Sequence, residues 1–208
     1  MATAQSIFYL LAGPNGAGKS TLYQALKQAG QIQATAEFVN ADVYEAKHLQ
    51  DIADPVQRSA AARDWADTRR AQLLVQGKSF VSETVFSHPS KLQLIAQAQA
   101  RGFLVLLLVV ALDQPERLVE RVKQRVREGG HSVPKQRILA RYPRTLSLLA
   151  QAVRTADVAM LYDSCDAAPG THALVAVCQQ HSTQILHTPL PQWAQLVLAL
   201  PIEDRGME

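Results

Sequence analysis

Residues 13–20 read G-P-N-G-A-G-K-S, and this octet decides the fold. It fits the phosphate-binding pattern G-x-x-x-x-G-K-[ST] at every fixed position. The residues before it, Ile7, Phe8, Tyr9, Leu10, Leu11 and Ala12, form an apolar run of strand type. The residues after it, from Thr21 to Lys27, read as a helix. A strand, a glycine loop and a helix N-terminus aim backbone N–H groups and the positive end of a dipole at one point, which suits a triphosphate. The loop residues expected to cradle it are Gly13, Pro14, Asn15, Gly16, Ala17, Gly18, Lys19, Ser20 and Thr21. Lys19 is placed to reach the β- and γ-phosphates and the Ser20 hydroxyl to bind Mg²⁺.

Outward from the loop, strands and helices alternate. Strand-like segments lie at 37–40, 79–82, 103–112 and 157–162, with two later ones at 171–178 and 183–187. Helical segments are expected at 43–76 with an interruption near Asp54 and Pro55, at 89–101, after Asp113, at 134–155 with an interruption at Pro143, and at 193–200. Alternation of this kind predicts an α/β fold: a parallel sheet with helices on both faces and its ligand site at the carboxyl ends of the strands. A chain of 208 residues is expected to form one domain, 1–208. The net charge of +3 is mildly basic, which suits an anionic substrate and does not call for nucleic acid. The longest apolar run, 103–112, has ten residues, short of the roughly 18 a spanning helix needs, so a cytoplasmic protein without a membrane partner is expected. Cys165 and Cys178 show no metal spacing and are expected as reduced thiols.

Each strand should deliver polar residues just past its carboxyl end. The second delivers Asn40 and Asp42, the third Glu83 and Thr84, and the fourth Asp113. Phosphoryl transfer to a hydroxyl needs an acceptor for the hydroxyl proton, and Asp42 is the candidate base. The same residue also suits the N-cap of a helix starting near Val43. Glu83 is placed to bind substrate or the water shell of Mg²⁺. Asp113 and Glu116 fit a capping box for the helix that follows. Within that helix Arg117, Arg121 and Arg125 recur every four residues. Like charges at that spacing repel, so the stripe does not serve the helix's own stability. Gly129, Gly130 and His131 follow, then a second basic segment with Lys135, Arg137, Arg141 and Arg144. Two basic helices around a glycine pair predict a lid over phosphates, at about 117–145.

These pieces together resemble the zeta-toxin family of P-loop kinases, in its short bacterial branch. The resemblance rests on GPNGAGKST at 13–21, FVNAD at 38–42, FVSETVFS at 80–87, RVKQRVREGGHSVP at 121–134, RILARYPRTLSLL at 137–149 and DVAMLYDS at 157–164. It implies an ATP-dependent kinase of a nucleotide-sugar, UDP-N-acetylglucosamine at its 3′-hydroxyl, restrained by an antitoxin on a separate chain. It places Asp42 as base, Lys19 and Ser20 at ATP and Mg²⁺, and Asp163 on the adenine side. Arg121 and Arg125 match the arginine helix of the short branch as catalytic lid arginines, and Glu83 faces the substrate; beside it Asn40 and Thr84, at strand ends, and His131, a polar lid residue, are the other substrate-binding candidates. The chain departs from the short branch in carrying Val85 after the Glu83-Thr84 pair.

Three alternatives stand beside this reading. A transporter-type ATPase would carry L-S-G-G-Q and an acid pair after the fourth strand; the first is absent and Gln114 follows Asp113. A kinase of another small metabolite or of nucleic-acid ends shares the mechanism. A non-catalytic ATP-binding regulatory protein would tolerate the loss of Asp42.

Overall fold

The computed structural model describes residues 5–128, 130, 132–164, 172–179 and 182–199. The elements in chain order are β1 (Ile7–Ala12), α1 (Lys19–Gln28), β2 (Glu37–Val39), α2 (Ala41–His48), α3 (Pro55–Gln76), β3 (Phe80–Thr84), α4 (Ser90–Gln99) and β4 (Leu104–Ala111), followed by α5 (Pro115–Arg127), α6 (Lys135–Thr155), β5 (Val158–Asp163), β6 (Ala173–Gln179), β7 (Ser182–Ile185) and α7 (Gln192–Leu198). The sheet order is β2-β3-β1-β4-β5-β6-β7. The α/β architecture is as expected. The first five strands are parallel, while β6 pairs antiparallel with β5 and β7 antiparallel with β6. This departs from a wholly parallel sheet; the short connection from β6 into β7 leaves no room for a crossover helix, so those two strands form a hairpin.

The sheet is covered on both faces, and the apolar strands show it. β4, LVLLLVVA, is almost wholly buried, as a strand under helices on either side must be. On one face Phe8, Leu10, Phe80 and Val105 pack against Leu73 of α3, Ile95 of α4, Leu149 of α6 and Trp193 of α7. On the other, Tyr9, Leu11, Val81 and Leu108 pack against Leu22 of α1 and Leu118 of α5. The polar edge strand β7, STQI, is exposed throughout. None of the described helices is long and apolar enough to cross a membrane.

Several local expectations are corrected by tertiary contacts. Asp113 does not cap α5, whose N-cap is Gln114 without a side-chain hydrogen bond. The Asp113 carboxylate instead accepts the backbone N–H groups of Gln192 and Trp193, at 3.0 and 2.6 Å, and so holds the start of α7. Asp42 is not an N-cap either. α2 begins at Ala41, and Asn40 is its N-cap, accepting the N–H of Val43 at 3.1 Å. Pro143 lies inside an unbroken α6. Flanking ties to other elements hold that helix together: Tyr142 Oη donates to Leu112 O at 2.7 Å and Thr145 Oγ1 to Val85 O at 3.2 Å. Cys178 is buried, and burial pushes its thiol pKa up; Cys165 lies outside the described residues.

Candidate functional site

The phosphate-binding loop is shaped by a close approach of backbones. Gly13 has φ 149°, and a Cβ on it would fall 2.0 Å from Val110 O. Gly16 has φ 82°, and a Cβ there would fall 2.5 Å from Leu118 O. Both obstacles are backbone, from β4 and α5, and cannot swing aside. Gly13→Ala is therefore expected to destabilise the fold by about 1–3 kcal/mol or more, from overpacking added to backbone strain. Urea denaturation of the variant beside wild type reads this directly.

The loop ends where α1 begins, so α1's unpaired N–H groups face the loop's interior. Lys19, the first helical residue, is only 6% exposed. Its Nζ donates to Pro14 O at 3.1 Å and lies 3.6 Å from Glu83 Oε1. Burial pushes the Lys19 pKa down; Glu83 opposes that, Arg125 adds to it and Asp42 opposes it. A buried, incompletely compensated ammonium is a site that gains from an incoming anion. Asn15 Oδ1 is likewise buried with no hydrogen-bond partner among the described residues. The cradle of backbone N–H groups and the ammonium fit a bound polyphosphate, whose oxygens accept hydrogen bonds.

Glu83 joins the loop to the second strand. β3 lies beside β1 in register, Leu11 opposite Glu83, which brings the carboxylate level with the loop. Its Oε2 accepts from Ser20 Oγ at 3.0 Å and from Asn40 Nδ2 at 2.9 Å. Asn40 thus fixes α2 with one side-chain atom and Glu83 with the other. A hydroxyl and a carboxylate held together beside a phosphate cradle fit a hydrated Mg²⁺. Asp42, exposed in the first turn of α2, is near enough for its charge to act on Lys19.

A cleft of about 680 Å³ opens from this point, and Asn15, Lys19, Asn40, Asp42, Glu83, Thr84 and Arg125 all line it. The structure therefore brings together the loop, the candidate base and one of the two lid arginines. Thr84 also shapes the wall. Its Oγ1 accepts the N–H of Phe86 at 3.1 Å, and the buried Phe86 sits at φ 58°, a conformation that costs energy outside glycine. Arg63, Arg70, Lys91, Arg137 and Arg141 also line the cleft, and with Lys19 and Arg125 they outnumber the carboxylates of Asp42, Glu45, Asp67 and Glu83. The cleft is electrostatically matched to an anionic ligand.

Other expected residues lie elsewhere. Arg121 is not among the cleft residues; its guanidinium donates to Ser164 Oγ at 3.0 Å and Ser164 O at 2.5 Å, at the end of β5. Asp163 Oδ1 accepts from Trp193 Nε1 at 2.8 Å. His172, on the same side, rests against Gly18. His131 lies outside the described residues. Arg70 and Lys91 escaped the sequence reading, since nothing in RRAQ or SKLQ separates a cleft cation from a solvated one.

Residues 2–167 match the Zeta toxin family. The chain belongs to the zeta toxin family. An uncharacterized protein of Haemophilus influenzae is 29% identical over 139 residues, which is 66% of this chain and 92% of that protein. Among solved structures, one from the PezAT chromosomal toxin-antitoxin system of Streptococcus pneumoniae aligns with TM-score 0.62 and 18% identity, over 80% of this chain and 73% of that one. AvrRxo1-ORF1:-ORF2, solved with ATP, aligns with TM-score 0.66 and 18% identity, over 88% of this chain. The match spans 61% of that longer chain. At such identity these two likenesses establish the P-loop fold alone, and the family match supports an ATP-dependent kinase of the zeta-toxin type.

Proposed function

We propose that this zeta-toxin family member transfers the terminal phosphoryl group of Mg²⁺–ATP to a hydroxyl of a nucleotide-sugar, UDP-N-acetylglucosamine at its 3′-hydroxyl. One observation carries the reading: Lys19 and Asp42 line the same cleft, and Glu83, bonded to Ser20, lines it too. When bound, Mg²⁺–ATP supplies the transferable group. Lys19 and the loop amides, that of Asn15 among them, would hold its phosphates, and Ser20 with Glu83 would hold the metal. Asp42 takes the proton of the acceptor hydroxyl as that oxygen becomes the nucleophile. Lys19 and Arg125 stabilise the negative charge that grows in the cleft during transfer. Arg121, tied to Ser164, shapes the nucleotide side together with Asp163 and His172. The basic segments on α5 and at the start of α6 serve as the lid, and residues 1–208 act as one kinase domain.

The toxin role and the separate antitoxin are part of this proposal. They are supported by the family and by the toxin-antitoxin system to which the pneumococcal structure belongs. The excess of cations in the cleft supports a charged acceptor over a neutral one. Incubation with ATP, Mg²⁺ and a panel of UDP-sugars, free sugars, nucleosides and oligonucleotide ends tests the acceptor. The expected result is a mass gain of one phosphoryl group on UDP-N-acetylglucosamine. Transfer to another acceptor alone overturns the substrate, and transfer to none overturns the kinase.

A further inference from the structure

The cleft has a second charged end that the transfer of a phosphoryl group does not use. Ser82 and Glu83 are consecutive on β3, so their side chains leave opposite faces of the sheet. Glu83 turns towards α1 and the phosphate loop, where Ser20 binds it. Ser82 turns towards α3, where its Oγ accepts from Arg70 Nη1 at 3.3 Å. The cleft passes over this rim, since both residues line it. At its far side Arg70 is only 9% exposed and its other guanidinium arm is paired with Asp67. Lys91, in the first turn of α4, faces the same space. Burial pushes the Lys91 pKa down, the Arg70 guanidinium pushes the same way, and Asp67 opposes both.

Two cations on separate helices thus line one stretch of the cleft, and the Asp67 carboxylate there is bonded to Arg70. Withdrawing an ammonium from water beside a guanidinium is unfavourable for folding. It becomes favourable when an anion enters between the two. Arginine supplies a planar fork for phosphate oxygens and lysine a point charge, so phosphoryl groups suit the pair best. The phosphate loop has its own cation in Lys19.

We propose that Arg70 and Lys91 form an anion subsite at the α3–α4 end of the cleft that seats a phosphate or diphosphate already carried by the acceptor. The inference rests on the cleft being the acceptor site of a kinase. It assigns the selection of phosphorylated over neutral acceptors to two residues outside the phosphate loop, the β2–α2 turn and the lid.

The test uses the full chain saturated with Mg²⁺ and a non-hydrolysable ATP analogue, so that the loop is filled, and inorganic pyrophosphate as the probe in a calorimetric titration. Wild type is expected to bind one pyrophosphate. Lys91→Gln, and separately Arg70→Lys, should weaken that binding about tenfold, the loss of one charge-assisted contact, while the affinity for the analogue stays unchanged. Lys91→Gln keeps the test open if Arg70→Lys does not fold, because Lys91 is only partly buried. No binding of pyrophosphate to the loaded protein, or equal binding by wild type and Lys91→Gln, overturns the subsite. Failure of the analogue to bind overturns the kinase reading instead. In that case the same titration on Lys19→Ala, whose loop lacks its cation, still decides the subsite by the same two outcomes.

Discussion

Asp42→Asn is expected to bind ATP as wild type does and to lose about 10²–10⁴-fold in kcat, the usual contribution of a positioned general base. The substitution removes the proton acceptor and keeps shape and volume. It leaves the fold intact because Asp42 is exposed and α2 is capped by Asn40. The nucleotide cradle is also untouched, since Lys19 is held by Pro14 and Glu83, and Ser20 by Glu83. Nucleotide affinity by calorimetry and single-turnover transfer together read both halves of the statement. A variant that turns over normally removes Asp42 from the chemistry and leaves a nucleotide-binding protein whose base lies elsewhere. A variant that loses ATP affinity in step with turnover makes Asp42 part of the nucleotide site.

Lys19→Ala is expected to abolish measurable ATP binding and turnover. The lost group is a buried cation whose pKa is held down chiefly by burial, so it is the group that gains most when phosphates arrive. Burial of this ammonium also makes stability depend on pH. The unfolded chain holds this proton up to the ordinary lysine value of 10.5, and the folded chain releases it at lower pH. Between those two values the unfolded state binds more protons, so the contribution of Lys19 to stability rises with pH in that window. Below it, the full cost of the buried charge is present. Denaturation of wild type and Lys19→Ala without nucleotide should therefore show a stability difference that shifts in favour of wild type as pH climbs towards 10.5. A difference independent of pH places the ammonium in contact with water. Unchanged ATP turnover in Lys19→Ala removes the phosphate-loop reading altogether.

The parts of the site legible in the sequence are the contiguous ones. Strand β1, the loop and the start of α1 occupy consecutive residues, so the spacing of Gly13, Gly18, Lys19 and Ser20 carries their geometry with it. The acids at the ends of β2 and β3 were legible for a related reason: in a parallel sheet of this kind strand ends converge on one rim. Asp113 shows where this logic stops. D-Q-P-E is a sound local capping signal, yet the carboxylate binds backbone N–H groups some eighty residues later. An isolated cap contributes only about 1 kcal/mol, which a tertiary partner readily outweighs. Arg121 and Arg125 make the same point. Both sit on one face of α5, but Ser164 holds the first at the end of β5, while the second reaches the cleft.

The amino-acid sequence by itself determined the α/β class, the phosphate cradle with Lys19 and Ser20, and the acids Asp42 and Glu83 as candidates for the chemistry, because each depends on short-range spacing or on a general rule of sheet topology. Only the tertiary structure decided that Glu83 bonds Ser20 and Asn40 at once, that β6 and β7 pair antiparallel, and that Arg70 and Lys91 line the same cleft. The reason is physical. A side chain's charge and shape are fixed by its type, but its partners are fixed by the packing of helices far apart in the chain, and it is the partner that turns a surface cation into a binding group.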